Sequence, residues 1–507
     1  MKRRTLLGGL AGLSVAGILG GTGLGYRYYR TQHPVQAKTT RLNAYQDDTP
    51  DVCIIGTGPG GCIVAHNLAK AGKRVVMLDS GASITDPATG NIIASLDKYS
   101  SSGGIDYPLQ TTRIRALGGT SNIWTGRCPR LLPRDFQNNP LAPGGAWPLS
   151  YEQIAPYYDR AEQSLGVTGD HLTAGHAPRT SDLPGSSPVD ISELRALIEP
   201  MHIHVDYPPL SREQRYLSSS GPVRFAQDYL VDLSNADKVT VIEQATATHF
   251  TTDESGVVKS VVVNSLDGVQ REISAKTFVI ACGAVESARL LLLSKTTNHP
   301  EGLGNERDQV GRRFMEHPFV TYTATIPGMK APTSSQLGRN FEFVNELKDK
   351  GLGGIILGIH IDPYNPDKLE IALGIEMAPD PENRVTLNES NKDAFGNPGA
   401  NLNLSFSEKD KQLLDEGEKI VYGLFSKVGG VDIVKETDLH WSHHHLGTTR
   451  MGTDPDVSVV DKNLKVHGIQ NLYVSSSGNF VTAGVGNPTL TIVALAHRLS
   501  DHLKQLG

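Results

Sequence analysis

Hydrophobic residues along this chain fall into short runs, and the first informative set lies near the N-terminal third. Residues 51–55 and 74–79 are almost continuously apolar, which is typical of strands buried on both faces of a parallel sheet. Between them, apolar residues recur three and four positions apart at Val64, Leu68 and Ala71, the spacing of one helical face. The pattern predicts a strand, a helix and a second strand.

Later segments mix two periodicities. Alternation of apolar and polar residues predicts antiparallel strands over residues 239–263 and through much of 317–439. Helical spacing dominates elsewhere. We therefore predict an α/β plus α+β protein, with a Rossmann-like domain and a second domain built on an antiparallel sheet backed by helices. Individual predicted elements are strands at 277–283, 354–361, 369–377 and 472–474 and helices at 285–293 and 408–427.

Capping residues locate two more helices. Ser150 is a candidate cap for a helix that continues to about residue 165. Near the C-terminus, a turn over residues 475–479 precedes a helix over 488–506, with Asn487 as its cap and Pro488 as its first residue. Residues 168–225 show weak periodicity and contain many Pro, Ser and His residues, so we predict long loops there.

Composition is that of a soluble enzyme, with 38% hydrophobic and 20% charged residues, which excludes disordered and fibrous classes. The net charge of −6 argues against a nucleic-acid partner, because phosphate binding needs a basic surface. The cysteines have neither metal-site nor disulfide-framework spacing, so we expect buried free thiols. They are Cys53, Cys62, Cys128 and Cys282.

The N-terminus differs from the rest of the chain. Arg3 and Arg4 precede a glycine-rich apolar run, an arrangement that resembles a twin-arginine export signal over residues 1–37, with residues 35–37 as a cleavage site. It predicts an exported protein, periplasmic or extracellular. The apolar run is about long enough to cross a bilayer, so an uncleaved N-terminal membrane tether is the alternative.

A glycine-rich loop follows the first predicted strand at once. Gly56, Gly58 and Gly61 have GxGxxG spacing, and the second strand ends at Asp79. The glycines allow a tight turn, close approach of the backbone to a pyrophosphate and close packing of helix on strand, while the acid accepts a hydrogen bond from a ribose hydroxyl. Because both strands and the acid are present, the sequence predicts a dinucleotide site.

Two further stretches are candidates for chemistry. Residues 115–126 contain a Gly-Gly pair, which is either part of a surface loop or a second backbone cradle for the cofactor. Residues 443–445 are three adjacent histidines, but consecutive residues rarely present all their ligands to one ion, so we predict no metal site. A histidine here could be a surface or capping residue, and Asn487 could be only a helix cap.

Taken together, these segments resemble the glucose–methanol–choline (GMC) oxidoreductases, FAD enzymes that oxidise alcohols. The resemblance covers nearly the whole chain from Asp51, with the motifs in the family's order. Several motifs in one order are more specific than any single motif. They are the loop at 56–61 with Asp79, and residues 117–121, 281–293, 311–318, 383–387, 444–452 and 487–489.

Within the family, the chain is most similar to the pyranose oxidases and the sugar or polyol dehydrogenases, through residues 393–398, 447–452 and 472–480. Pyranose oxidases commonly carry a histidine just before the tryptophan of the Gly-Gly loop, and that histidine bonds covalently to the flavin. Ile123 occupies this position here, before Trp124. The resemblance therefore implies FAD held without a covalent link.

The resemblance also implies catalytic residues. The family's catalytic histidine lies three residues before the glycine of a Gly-Thr pair, which is His444 here, and the second catalytic position falls on Asn487. If the segment is extended, successive side chains alternate faces, so His443 and His445 are expected to point away from His444. His317 matches a family position to which we assign no role.

The implied cofactor contacts extend along the whole of FAD. The three glycines of the loop are assigned to the pyrophosphate, Asp79 to the adenosine ribose and Ala247 to the adenine. The last helix starts at Pro488 and Thr489, where its partial positive charge could stabilise the anionic reduced flavin. The other implied flavin, phosphate or ribityl contacts are Gly119, Thr120, Asn122, Trp124, Gly478 and Asn479.

The implied reaction is oxidation of an alcohol to a carbonyl, on a small-molecule substrate that is a sugar or polyol. The electron acceptor is oxygen, a quinone or a cytochrome, and because the chain has no haem-attachment CxxCH, a cytochrome has to be another chain. Two alternatives remain open: a lyase of the hydroxynitrile type, and a flavoprotein subunit of a multi-component dehydrogenase. Oligomeric state is not predicted.

The motif order predicts a discontinuous domain organisation. Residues 50–135, 235–316 and 440–507 are assigned to the FAD-binding domain. Residues 136–234 and 317–439 are assigned to the substrate-binding domain. The implied catalytic residues therefore belong to the last segment of the FAD-binding domain, and the substrate pocket is expected to be built largely by the predicted long loops.

Overall fold

The computed structural model describes residues 37–46, 49–83, 95–137, 141–142, 145–168, 190–206, 209–211 and 222–506. The export signal predicted at the N-terminus lies outside these residues except for Ala37, and it stays a prediction. In the ranges that are described, no helix is both long and apolar enough to cross a lipid bilayer.

Nineteen strands and nine α-helices are found in these ranges. The strands are β1 (Val52–Ile55), β2 (Val75–Leu78), β3 (Tyr99–Ser102), β4 (Val167–Thr168), β5 (Leu210–Ser211), β6 (Val239–Ile242), β7 (Thr246–Thr252), β8 (Val258–Asn264), β9 (Gln270–Ser274), β10 (Thr277–Ile280), β11 (Pro318–Thr325), β12 (Gln336–Asn340), β13 (Ile355–Asp362), β14 (Asn365–Ile375), β15 (Arg384–Lys392), β16 (Pro398–Asn403), β17 (Val431–Lys435), β18 (His440–Trp441) and β19 (Leu472–Val474). The helices are α1 (Pro59–Lys70), α2 (Tyr151–Leu165), α3 (Ser192–Ile198), α4 (Phe225–Asp228), α5 (Leu230–Ser234), α6 (Gly283–Leu293), α7 (Phe343–Asp349), α8 (Glu408–Lys427) and α9 (Thr489–Gln505).

A parallel sheet of five strands carries the glycine-rich loop. Its order is β19-β10-β1-β2-β6, and every neighbouring pair is parallel. All residues of β1 and β2 are buried, as expected for central strands covered on both faces. The C-terminal helix α9 packs against α1 and α2. The two ends of the described chain thus meet at this sheet.

The second large sheet is antiparallel and has six strands. Its order is β12-β13-β14-β11-β17, with β18 also paired to β11. Helix α8 covers β14, and Gly417 brings them close because a Cβ there would lie 2.8 Å from the side chain of Leu373. This is the antiparallel sheet backed by helices that the alternation predicted.

Three smaller sheets complete the fold. Strands β7, β8 and β9 form an antiparallel meander, and β4 pairs with β5. Strand β16 is antiparallel to β15 and parallel to β3. The meander directly follows β6 in the chain and brings Ala247 to the edge of the cavity described below.

Several predictions of single elements are confirmed. Helix α8 has the predicted bounds, and Ser407 forms a capping box with Asp410 at its start. Ser150 caps α2 in the same way, through Gln153. The cysteines are all free, and all but the partly buried Cys282 are buried. The predicted fold class, α/β plus α+β, is confirmed.

Two predictions of elements were wrong. The region 168–225 was expected to contain only loops, but α3 forms there because Leu194 and Ile198, four residues apart, are both buried. At the last helix, Asn487 was expected to be the cap. The helix instead begins at Thr489 after Pro488, and the Asn487 side chain bonds elsewhere.

The strands of the parallel sheet come from three separate stretches of the chain, around residues 52–78, 239–280 and 472–474. These stretches fall in the three segments that the sequence assigned to the FAD-binding domain. The exact domain bounds stay a prediction.

Candidate active site

The glycine-rich loop connects β1 to α1, and two of its glycines leave no space for a side chain. Gly56 has a φ of 105°, and a Cβ there would lie 2.4 Å from the carbonyl oxygen of Ala281. A Cβ on Gly61 would lie 2.1 Å from the carbonyl oxygen of Gly56. The turn and the packing of α1 against β1 therefore require these two glycines.

Gly58 is different, because a Cβ at this position would meet no atom within 4 Å. Gly58 lines a cavity and lies just before the N-terminus of α1, where backbone N–H groups favour an anion. The loop is thus closely packed at Gly56 and Gly61 and open at Gly58, where the pyrophosphate is predicted. These residues fit FAD.

Asp79 connects the two glycine loops. Its Oδ2 accepts from the backbone N–H of Thr57 at 3.1 Å, and its Oδ1 accepts from the N–H of Gly81 at 2.8 Å. The hydroxyl oxygen of Thr57 accepts in turn from the N–H of Gly118 at 2.9 Å. Burial raises the pKa of Asp79, which these hydrogen bonds oppose. Its predicted role at the ribose stays a prediction.

One cavity extends from the nucleotide loop to the three histidines and is lined by most of the predicted site residues. Ile123, at the position of the covalent histidine in pyranose oxidases, lies on the same wall. The predicted site residues that line the cavity are Gly56, Gly58, Asp79, Gly119, Thr120, Trp124, Ala247, His444, Asn487, Pro488 and Thr489.

Four predicted cofactor contacts are not among the residues that line the cavity, and each of them has a structural role. Asn122 Nδ2 donates to the carbonyl oxygens of Leu117 and Gly119, at 2.8 and 2.7 Å. Asn479 Nδ2 donates to the carbonyl oxygen of Val474 at 2.7 Å. Both amides therefore shape their own loops. The other two are Gly61, whose role is given above, and Gly478, where a Cβ would lie 2.5 Å from Thr449 Oγ1.

His444 is held by a second histidine that the sequence left without a role. Nδ1 of His444 lies 2.8 Å from Nδ1 of His317, and Nε2 of His317 lies 2.7 Å from the carbonyl oxygen of Gly484. A carbonyl oxygen can only accept, so His317 carries its proton on Nε2 and accepts at Nδ1. His444 therefore donates from Nδ1, and its Nε2 keeps a free lone pair.

The lone pair of His444 faces Asn487. Asn487 Nδ2 lies 3.1 Å from His444 Nε2, and Asn487 Oδ1 accepts from Arg339 Nη1 at 3.0 Å. Because a guanidinium can only donate, Arg339 fixes which end of the amide faces the histidine. His444 and Asn487, the predicted catalytic pair, thus offer an acceptor and a donor side by side on the cavity wall.

Burial keeps both histidines neutral. It holds the pKa of His444 well below its usual range, and the nearby His317, His443 and Arg339 lower the pKa further. Burial also lowers the pKa of His317. A neutral imidazole is the form that accepts a proton, so His444 is ready as a base across the physiological pH range.

Glu316 fixes the backbone of the histidine segment, residues 443–445, through hydrogen bonds. Its two carboxylate oxygens accept from the backbone N–H groups of His443, at 3.1 Å, and of His444. His443 has a φ of 61°, so the segment is kinked and not extended. The condition for the expected alternation is therefore not met at His443, and all three histidines line the cavity. Burial raises the pKa of Glu316 to about 7.

The carbonyl oxygen that accepts from His317 belongs to Gly484, and the backbone N–H of the same residue is bound by Glu376. Glu376 Oε1 accepts from the N–H of Gly484 at 2.9 Å, and Glu376 Oε2 lies 3.0 Å from Nζ of Lys348. Lys348 also pairs with Asp135, and all three charged side chains are buried. The orientation of His444 thus depends on a buried ion-pair cluster that Lys348 and Glu376 join from α7 and the end of β14.

Sequence reasoning missed three residues of this network. His317 had a signal, its match to a family position, but Glu316 and Arg339 had none. Each acts through a partner more than a hundred residues away: Glu316 at residue 444 and Arg339 at residue 487. No local spacing reports such contacts.

Comparison with known families agrees with this geometry. Two GMC oxidoreductase models match residues 223–319 and 379–496, and an FAD binding domain model matches residues 49–95. The chain belongs to the GMC oxidoreductases. This GMC oxidoreductase uses FAD and acts on an alcohol or sugar group, which confirms the family, the cofactor and the general activity inferred from the sequence.

Individual relatives match over most of their length. The large subunit of a fructose dehydrogenase from Gluconobacter japonicus is 26% identical over 89% of this chain and 97% of its own. A pyranose 2-oxidase from Tricholoma matsutake is 23% identical over 81% of this chain and 76% of its own. Among solved structures, pyridoxine 4-oxidase from Mesorbium loti has a TM-score of 0.64 and 18% identity over 89% of this chain and 98% of its own, and shares the fold.

Proposed function

We propose that this GMC oxidoreductase oxidises the CH–OH group of a sugar or polyol to a carbonyl, with His444 as the proton acceptor and Asn487 as the residue that orients the hydroxyl. The observation that carries the proposal is the geometry of the catalytic pair. An unprotonated ring nitrogen and an amide N–H lie 3.1 Å apart, beside the cavity of the cofactor. Sugar oxidation is supported by the names of the relatives, a fructose dehydrogenase large subunit and a pyranose 2-oxidase.

A bound alcohol can use both groups of the pair at once. Its hydroxyl donates to His444 Nε2 and its oxygen accepts from Asn487 Nδ2, which replaces the contact between the two side chains. As the carbonyl forms, the hydroxyl proton passes to Nε2, and the carbinol hydrogen leaves with its electron pair. FAD, when bound, supplies the hydride acceptor at N5. His317 accepts from His444 Nδ1–H, and this hydrogen bond stabilises the imidazolium that results.

The residues that would hold FAD are those that line the cavity. Gly58 and the start of α1 would contact the pyrophosphate, and Asp79 and Ala247 would contact the adenosine. Gly119, Thr120 and Trp124 would contact the flavin, and Ile123 supplies no nucleophile for a covalent link. We therefore propose that FAD is held without a covalent bond, and acid precipitation of the purified protein should release all of the flavin.

The test is anaerobic flavin reduction. Purified holoenzyme is mixed with a panel of sugars and polyols, and bleaching of the flavin is followed by absorbance. His444→Ala should lower the rate of bleaching by roughly a hundredfold or more while FAD content is unchanged. His440→Ala is the control, since this histidine lies outside the cavity and pairs with Glu436. Normal bleaching in His444→Ala would show that another group accepts the proton.

The same experiment separates the alternatives. A hydroxynitrile-type lyase would leave the flavin oxidised with every alcohol, because its reaction has no redox step. The electron acceptor is then identified by adding oxygen, a soluble quinone or a cytochrome to the reduced enzyme. Because one relative is named as a large subunit, transfer to a cytochrome on another chain is included in this comparison.

We also propose that the protein is exported through its N-terminal segment. Arg3 and Arg4 before a glycine-rich apolar run support this, as does the folded FAD domain, since a cofactor enzyme benefits from loading before export. Replacing both arginines with lysine should retain the protein in the cytoplasm. Equal export of the two forms would reject the twin-arginine route.

A further inference from the structure

Arg339 is a buried cation without a counter-ion. It lies on β12 with 4% of its surface exposed, and its side chain makes one hydrogen bond, from Nη1 to Asn487. Its Nε is buried and has no acceptor. In the part of the chain that the structure describes, no carboxylate pairs with this guanidinium. A charge removed from water is normally compensated, because desolvation costs several kcal/mol.

Three other buried cations of this protein are paired with carboxylates. Arg130 pairs with Asp159 and Glu162, Arg289 pairs with Asp393, and Lys348 pairs with two carboxylates. Arg313 and Arg450 are also buried and have no salt bridge among the described residues, but they donate to Gln309 and to backbone carbonyl oxygens. Arg339 differs from all of these because its one hydrogen bond, from Nη1, goes to Asn487 of the catalytic pair.

A second buried cation, Arg127, lies near Arg339. Arg127 is 6% exposed, lines the cavity and lies close enough for its charge to lower the pKa of Arg339. The carboxylates that line the cavity are engaged elsewhere: Asp79 with backbone N–H groups, and Asp97 and Glu286 with arginines on the nucleotide side. Among the described residues, no carboxylate that lines the cavity contacts Arg339 or Asn487.

Orienting Asn487 does not in itself require a charge. The amide oxygen of Asn479, which is even more deeply buried than Asn487, is satisfied by the neutral hydroxyl of Thr449 at 2.9 Å. A hydroxyl or an amide at position 339 could hold Asn487 Oδ1 in the same way, without the cost of a buried cation. The guanidinium is therefore explained better by an anion that arrives with the ligand.

We propose that the alcohol oxidised at this site carries a carboxylate, which pairs with Arg339 while the hydroxyl contacts His444 and Asn487. The substrate class is then a sugar acid and not a neutral sugar. This rests on the proposed function and narrows it. A carboxylate is favoured over a phosphate because the single charge of one guanidinium neutralises one carboxylate but not a phosphate dianion.

The experiment compares matched substrates in the FAD-loaded enzyme. Gluconate and glucuronate are tested against gluconamide and methyl glucoside, with glucose 6-phosphate as the phosphate probe, by anaerobic flavin reduction. The acids should give kcat/KM values roughly tenfold or more above those of the neutral members, as expected for a charge-assisted hydrogen bond. Arg339→Gln keeps an N–H donor for Asn487 and should abolish this preference, while Arg339→Lys should keep part of it.

A binding measurement makes the test independent of turnover. In oxidised His444→Ala holoenzyme, gluconate should still perturb the flavin absorbance with little change in affinity, and the additional change Arg339→Gln should weaken binding roughly tenfold. Arg195→Gln is the control, because this arginine lies on the neighbouring α3, is half-exposed and pairs with Asp206. It should leave both readouts unchanged.

The outcomes are distinguishable. Equal efficiency with acids and neutral members in the wild-type enzyme would overturn the carboxylate proposal and leave the proposed oxidation intact. An equal loss for both classes in Arg339→Gln would show that Arg339 only positions Asn487. Preference for glucose 6-phosphate would replace the carboxylate with a phosphate. If no alcohol bleaches the flavin, the proposed function fails, and the binding titration still decides whether Arg339 binds a carboxylate.

Discussion

His317 Nδ1 lies 2.8 Å from His444 Nδ1, and the position of a single proton follows from this contact. Because the other nitrogen of His317 donates to Gly484, the shared proton belongs to His444. Nε2 of His444 is therefore unprotonated and able to accept a hydrogen bond. Without this contact, the proton of a neutral His444 could occupy either nitrogen, and one of the two forms is inactive as a base.

The first prediction concerns this contact. His317→Leu removes the acceptor for His444 Nδ1–H and should lower kcat by roughly ten- to a hundredfold, the usual effect of losing a group that orients a functional histidine. His317→Asn offers an amide oxygen and should recover part of the loss. FAD content should be normal in both variants, and stopped-flow flavin reduction is the measurement. Equal rates in the two variants would show that His317 acts only through packing.

The second prediction concerns pH. Since the pKa of His444 is held well below 6.5 by burial and neighbouring positive groups, kcat/KM should be constant from about pH 8 to 6.5 and fall only at lower pH, where the base becomes protonated. Removing the charge in Arg339→Gln should raise the pKa of His444 and move this fall to higher pH. An acidic limb centred above pH 6.5 in the wild-type enzyme would contradict the assignment.

The third prediction compares two glycines of the same loop. Gly58→Ala adds a methyl group that meets no protein atom, so the apoprotein should unfold at the wild-type denaturant concentration but bind FAD more weakly. Gly60→Ala would place its Cβ 2.2 Å from the carbonyl oxygen of Ser475, so it should destabilise even the apoprotein. Urea unfolding and FAD titration measure the two effects separately. Normal FAD affinity in Gly58→Ala would remove this residue from the cofactor site.

The fourth prediction is a pH dependence of stability at Glu316. Its folded-state pKa, about 7, lies above the ordinary value of 4.5, so the folded state binds a proton more tightly than the unfolded state. The free energy of unfolding should therefore fall by about 3 kcal/mol as pH rises through this window. Urea unfolding at pH 5 and 7.5 should show this difference in the wild-type protein, and Glu316→Gln should reduce it. If the free energy of unfolding depends on pH to the same extent in Glu316→Gln, other groups cause that dependence.

What the sequence predicted correctly was mostly local. The strand, glycine loop and helix from Val52 to Lys70 follow from residue types at close spacing, and α8 follows from its periodicity and its Ser407 cap. The family's motif order added His444 and Asn487, which no local pattern could relate to each other. The structure brings these two residues together from 43 positions apart.

The sequence could not predict which asparagine side chains contact the site, because the same side chain has different partners in different surroundings. An asparagine before Pro488 has the chemistry of a helix cap, yet its amide contacts His444 and Arg339. Asn122 and Asn479 lie in cofactor motifs, yet their amides bond to their own loops. Helix α3 was missed because only two apolar residues, Leu194 and Ile198, distinguish it from the polar sequence around it.

The peptide of Gly484 receives Glu376 on its N–H and His317 on its carbonyl, so the catalytic base is completed by side chains that the antiparallel half of the molecule supplies. A substitution in the antiparallel half can therefore impair proton acceptance by His444 without touching the glycine-rich loop, because its effect reaches the imidazole through Gly484 and His317.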